Sequence, residues 1–152
     1  MSRTSKFLRL PAAEQVLLLR SIVALIAIRI SLWTLSFSRV RKVADAMSHP
    51  ALNRSSNDRP TPEKIAWAVA TASRAVPRGG NCLLRALATG IMLKRYGYPS
   101  ELKIGVMKPE GGGFQAHAWL ESGGSIVIGD FQLDQYVPLQ ASDAATVPQR
   151  PI

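Results

Sequence analysis

The spacing of the apolar residues changes once along this chain, at Gly97, and that change limits the folds open to it. Before Gly97 the apolar residues recur at helical intervals. After it Leu102, Ile104 and Val106 alternate with polar or small residues, the period of a strand. Two further runs, Gln115–Glu121 and Ser125–Asp130, flank Ser122-Gly123-Gly124-Ser125. A Gly-Gly pair between apolar runs predicts a tight hairpin. Helices followed by antiparallel strands predict an α+β fold. The 152 residues are one domain's worth of chain, with 47% hydrophobic residues to build its core.

Helix punctuation is clear in the middle of the chain. Thr61 is a suitable N-cap, Pro62 suits the first helical position, and Glu63 faces the positive end of the helix dipole. That helix reads IAWAVATASRAV and stops at Pro77. After the turn Arg78-Gly79-Gly80, Asn81 caps a second helix from Cys82 to Tyr96, which Gly97 terminates. The expected organisation is a hydrophobic, basic helical extension over 1–48, a linker over 49–61 and an α+β domain over 62–152.

The N-terminal run QVLLLRSIVALIAIRISLWTLSF, Gln15 to Phe37, has the length of a membrane span, but Arg20 and Arg29 interrupt it. Its uncharged stretches fall well short of the roughly 18 residues a span requires, and central arginines are costly in a bilayer. No small-residue cleavage pattern follows it, so a secretory signal fits poorly. The expectation is a largely buried helix, or two, in a cytoplasmic protein. A helix lying on a membrane surface is the alternative. Net charge is +9 and uneven: +6 over 1–48, +6 over 49–100 and −3 over 101–152. A basic front suits an acidic partner or is simply a solubility charge. No helix interleaves clustered Lys/Arg with exposed aromatics, which argues against nucleic acid.

A single cysteine excludes an intramolecular disulfide and CxxC zinc sites, and two histidines leave little for a metal. No metal or other cofactor is expected. Cys82 falls in the first turn of its helix, where N–H groups and the dipole favour a thiolate and Arg78 adds positive charge; a buried structural thiol is the other reading. His117 lies on a strand, where a structural role is common. If Gly123-Gly124 is a two-residue loop and the register continues unbroken, His117 faces Asp130 in a non-hydrogen-bonded pair, with Cα atoms about 4.5 Å apart. An Asp on one imidazole nitrogen fixes the tautomer and frees the other for a thiol. Cys82, His117 and Asp130 then form a nucleophile–base–orienter set. A shifted register breaks the pairing, with Glu121 and Asp134 as the fallback acids.

The blocks Cys82-Leu83-Leu84-Arg85-Ala86-Leu87-Ala88, Leu93-Lys94-Arg95-Tyr96-Gly97, Leu102-Lys103-Ile104-Gly105-Val106 and Phe114-Gln115-Ala116-His117-Ala118-Trp119-Leu120-Glu121 resemble the protease portion of lasso peptide biosynthesis protein B, in its order and spacing over roughly residues 62–140. The resemblance implies a transglutaminase/papain-like core, with the nucleophile at a helix N-terminus packed on an antiparallel sheet. It implies a peptidase that removes the leader from a ribosomally made lasso precursor, with Cys82 as nucleophile, His117 as base and Asp130 as acid. The residues before the first catalytic-domain helix lack the strand-rich pattern of a leader-binding domain. The chain therefore looks like the protease half of a split pair. Implied partners are the precursor, a small leader-recognition protein and an asparagine-synthetase-like cyclase. The Gly-rich Glu110–Gly113 connection and the Gly-Gly hairpin depart from the family pattern.

Arg85, Asn81 and Trp119 are the candidate substrate contacts. The Cys82 N–H is a natural oxyanion donor. Asn81 and Trp67 are candidates for the second donor, with Trp67 reading more simply as core, and Arg85 equally suits a structural ion pair. His49, in the linker, reads as solvated. Two rival functions use other chemistry: an acyltransferase passing the acyl group to an amine with the same three residues, and a non-enzymatic basic binding module.

Overall fold

The first helix, α1 (Ala12–Thr34), packs on the protein through one stripe, Leu17, Leu18, Ser21, Ala24, Leu25 and Ile28. These residues recur at helical spacing and meet the two helices that follow. The buried Ser21 hydroxyl donates to the Leu17 carbonyl at 2.9 Å, so no polar group is orphaned in that contact. This computed structural model describes residues 10–34, 36, 39, 42, 59–77, 81–109, 111–130 and 132–139. Most of the expected 49–61 linker, His49 included, lies outside the described residues.

Both arginines that interrupt the apolar run are turned onto the protein. Arg20 Nη1 donates to the Tyr96 hydroxyl at 2.9 Å, and Arg29 donates to the Pro77 carbonyl. The expectation of a largely buried helix holds for one side only. Val16, Leu19, Val23, Ile26, Ile30 and Trp33 form an exposed apolar stripe on the other side. Apolar residues on both sides explain why the run shows no clear amphipathic period. By length and composition α1 is apolar enough to cross a membrane.

The second helix, α2 (Pro62–Ser73), starts as its sequence predicts. The Thr61 hydroxyl accepts from the Lys64 N–H at 3.3 Å and Pro62 occupies the first position. A backbone hydrogen bond, and then the Thr61 hydroxyl, hold the Glu63 carboxyl below its ordinary range. Lys64 reaches back to Glu14 in the first turn of α1, 2.9 Å away. The helix ends at Ser73, earlier than the sequence pattern suggests, and Arg74–Pro77 form a turn. The third helix, α3 (Cys82–Arg95), is the central one: Leu84, the run Ala86–Leu93 and Tyr96 are buried.

Four antiparallel strands follow: β1 (Glu101–Met107), β2 (Gln115–Ser122), β3 (Ser125–Ile128) and β4 (Val137–Pro138), in the order β3-β2-β1-β4. With helices on one side of this sheet the fold is α+β, as the period change predicted. The Gly-Gly hairpin is also as predicted. Gly123 and Gly124 both have positive φ, 59° and 79°, and Ser122 pairs with Ser125.

The register beyond that hairpin corrects the sequence reading. Glu121 pairs with Ile126, but Leu120 pairs with Ile128, so a bulge leaves Val127 over. β3 then ends, and Gly129 leaves it at φ 87°. Projected onward, the shifted register sets Asp130 beside Ala118 and not opposite His117. One extra residue moves every later partner by one place, and nothing in the local pattern of Ser125–Ile128 announces it.

The two sheet faces differ. Leu102, Ile104, Ala118, Leu120 and Ile128 join the helical core. His117 and Trp119 point to the opposite face by alternation, and there they meet Tyr136 from the short turn before β4.

Candidate active site

Cys82 is the first residue of α3, and its thiol is free and half-buried against the helical core. Asn81 makes that helix start. Its backbone is extended and its Oδ1 accepts from the Leu83 N–H at 2.9 Å, leaving other first-turn N–H groups beside the sulfur. Asn81 therefore has a capping role, and its side-chain oxygen is engaged. Arg78 lies outside the described residues.

The end of α3 and the end of β2 lie together. Ser122 Oγ donates to the Pro99 carbonyl, 2.7 Å away, in the short connection from α3 to β1. Glu101, the first residue of β1, pairs with Glu121 of β2. At Gly90 of α3, a Cβ would lie 3.4 Å from Leu120 Cδ1 of β2. From that contact Cys82 is about 12 Å back along the helix, and His117 about 10 Å back along the strand. The elements thus carry thiol and imidazole towards the same end of the helix–sheet layer. Parity sets the imidazole on the sheet face away from α3, and no hydrogen bond joins it to Sγ. β3 stops at Ile128, so the edge of β2 beside His117 has no β3 partner. There the chain leaving β3 passes close to β2: a Cβ placed on Gly129 would lie 2.8 Å from the Ala118 oxygen.

His117 is half-buried and held on several sides. Its Nε2 lies 2.8 Å from the Gly129 carbonyl oxygen. The Tyr136 ring is 5.2 Å away, centroid to centroid, and the Trp119 ring is stacked at 6.4 Å. Its cross-strand partner is Gly105. A Cβ there would meet Trp119 Cζ3 at 2.9 Å and Tyr136 Cβ at 2.9 Å, so the missing side chain is space taken by the Trp119 ring and the Tyr136 Cβ. Gly105, Tyr136 and Gly129 were not among the candidate site residues legible in the sequence. A glycine within the alternating β1 run was the available signal for the first.

The other candidates fall as follows. Asp130 is exposed, and its carboxylate does not bond His117. Glu121 accepts from Trp119 Nε1 at 3.0 Å and so braces the tryptophan, not the histidine. Asp134 is exposed on the Leu133–Gln135 turn. Trp119 is buried, and its ring packs beside His117. Trp67 is 42% exposed, not core, because it points away from the buried stripe of α2. Arg85 is half-buried one turn after Cys82, and among the described residues its Nε is buried with no hydrogen-bond partner and its guanidinium forms no ion pair. Among the described residues, no His, Cys, Asp and Glu cluster suited to a metal ion occurs.

A thiol on the first residue of a core helix, joined to an antiparallel sheet whose second strand carries an oriented histidine, is the layout of cysteine enzymes that work through a thioester. Comparison with known families agrees. The family model described as the Transglutaminase-like superfamily matches residues 22–141, and the chain belongs to that superfamily. Its members include cysteine peptidases and acyltransferases. The match begins inside α1, so it takes in most of that helix as well as the sheet. No curated protein and no solved structure matches the chain.

Proposed function

We propose that this protein is a leader peptidase that cleaves the leader from a ribosomally synthesised lasso peptide precursor. The reading is supported by the four sequence blocks around Cys82, Leu93, Leu102 and Phe114, and by superfamily membership. The observation that carries it is the placement of the single thiol at a helix start, with an oriented histidine at the same end of the layer.

In the proposed reaction His117 takes the Cys82 proton on its free nitrogen, and Sγ attacks the scissile carbonyl. N–H groups of the α3 start, that of Cys82 first, stabilise the oxyanion. The intermediate collapses to a thioester as the leaving amine receives the proton from His117. Water then attacks the thioester, gives a proton to His117 and releases the leader as a free acid; that proton returns to the thiolate. No cofactor enters these steps. For Asp130, the acid that the resemblance implies, the exposed carboxylate leaves an orienting role to be earned by movement or by another group.

The proposed setting is cytoplasmic. A separate small leader-binding protein brings the precursor, and an asparagine-synthetase-like cyclase takes the freed core. The test is to mix the protein with precursor, with and without the leader-binding protein, and weigh the products. Two fragments with free termini, appearing faster with the partner present because binding raises effective concentration, are expected. A leader–amine adduct identifies the acyltransferase reading, and an intact precursor under both conditions sinks the peptidase reading.

A further inference from the structure

We propose that the exposed stripe of α1 docks the protein flat on an anionic phospholipid surface. This docking is independent of the reaction proposed above.

Val16, Leu19, Val23, Ile26, Ile30 and Trp33 are 44–89% exposed. They follow one another at intervals of three and four residues, so they keep to one side of the helix for about 25 Å. Between Val16 and Trp33 the other exposed residue is Arg20, whose Nη1 donates to the Tyr96 hydroxyl. Arg29 is half-buried and donates to the Pro77 carbonyl. Both arginines are thus tied to protein groups, and the stripe itself is purely apolar. A contiguous exposed patch of this kind marks an interaction site more often than scattered apolar residues do.

The opposite side of α1 sets how the helix meets lipid. Leu17, Leu18, Ser21, Ala24, Leu25 and Ile28 pack on α2 and α3. Surrounding α1 with lipid would strip these residues from the core. A helix fixed along one side and apolar along the other lies in the plane of the surface, its outer side sunk about 5–10 Å into the headgroup boundary.

Charge favours lipid over a second copy of the chain. Arg39 and Lys42, beyond the end of α1, are exposed. In sequence, Arg3, Lys6 and Arg9 precede the helix, with no acidic residue among residues 1–11. Residues 1–48 together carry +6. An anionic surface attracts that charge, whereas two copies meeting along α1 would set +6 against +6. Six side chains are also far fewer than the roughly 20–30 residues a side of a standard protein interface. Trp33 ends the stripe next to Arg39 and Lys42, and tryptophan is enriched at the headgroup level.

Flotation of the full-length protein with vesicles tests the docking. The vesicles are phosphatidylcholine alone, or phosphatidylcholine and phosphatidylglycerol in equal amounts. Binding is expected on the anionic vesicles, weakening as salt rises, with little on phosphatidylcholine alone. Val23→Gln/Ile26→Gln is expected to keep a urea midpoint close to native and to bind at least about tenfold more weakly; tenfold is about 1.4 kcal/mol, less than two buried CH₂ groups contribute. Lipid brominated on its acyl chains is expected to quench the native fluorescence, and to quench Trp33→Phe much less. No binding to anionic vesicles, equal binding by a folded double variant, or undiminished quenching in Trp33→Phe overturns the proposal. So does a lipid-free dimer in sedimentation equilibrium that the double variant dissociates, because a second copy then covers the stripe. If the double variant fails to fold, the comparison of native and Trp33→Phe quenching decides.

Discussion

Replacing Gly105 by alanine tests whether an absent side chain builds the surroundings of His117. The added Cβ would lie 2.9 Å from Trp119 Cζ3, 2.9 Å from Tyr136 Cβ and 3.1 Å from Trp119 Cη2. Carbon atoms in good contact sit about 3.5–4.0 Å apart, so these neighbours must retreat by several tenths of an ångström or more. Neither retreats easily. Trp119 is buried and its Nε1 is bonded to Glu121, while the Tyr136 atom is a Cβ, tied to its main chain. Overpacking of this kind costs about 1–3 kcal/mol. Gly105 lacks a positive φ, so alanine also removes freedom from the unfolded chain, which returns about 0.4–1 kcal/mol. The net expectation is a loss centred on about 1.3 kcal/mol, or a few degrees in Tm for a domain of this size. Urea unfolding followed by tryptophan fluorescence is a suitable assay. Trp119 is 5% exposed whereas Trp33 and Trp67 are 89% and 42% exposed, so the signal reports mainly the aromatic cluster. Cleavage should fall in parallel, because His117 is the cross-strand partner of Gly105. Gly111→Ala is the control: nothing lies within 4 Å of a Cβ there. A Gly105→Ala protein with an unchanged or higher urea midpoint would refute the packing argument.

Cys82→Ala and Cys82→Ser should abolish precursor cleavage and leave the urea midpoint close to native; turnover by a folded Cys82→Ala protein rules out the thiol as nucleophile. Two substitutions in α1 should separate its faces. Leu25→Ala, at a fully buried site, should cost about 2–5 kcal/mol, whereas Ile26→Gln, on the exposed stripe, should stay within about 0.5 kcal/mol; paired urea titrations measure both. Glu63 gives the pH dependence. Its carboxyl is held below the ordinary value in the fold, so its support is complete above the unfolded pKa and is lost as pH falls through the folded one. Glu63→Gln should therefore lower the urea midpoint near neutrality, with the gap from native closing on acidification; a gap that widens in acid contradicts the sign.

Local chemistry made much of this architecture legible in the sequence. Thr61 and Asn81 were readable as caps, and both accept the expected first-turn N–H groups. The Gly123-Gly124 turn and the change of period at Gly97 were readable for the same reason: each depends on residues adjacent in the chain. So were the positions of the thiol at a helix start and the histidine on a strand. Features that depend on distant residues were not. The two sides of α1 are equally apolar, and only packing on α2 and α3 decides which side is buried. Arg20 and Arg29 looked like interruptions until Tyr96 and Pro77 supplied their acceptors. The bulge at Leu120/Glu121 shifts the register of β3 on β2, and the Gly129 carbonyl, not the expected carboxylate, lies beside His117. A strand's period says which side chains share a face, but register is a property of two strands together, so the partner of His117 was decided by tertiary structure alone.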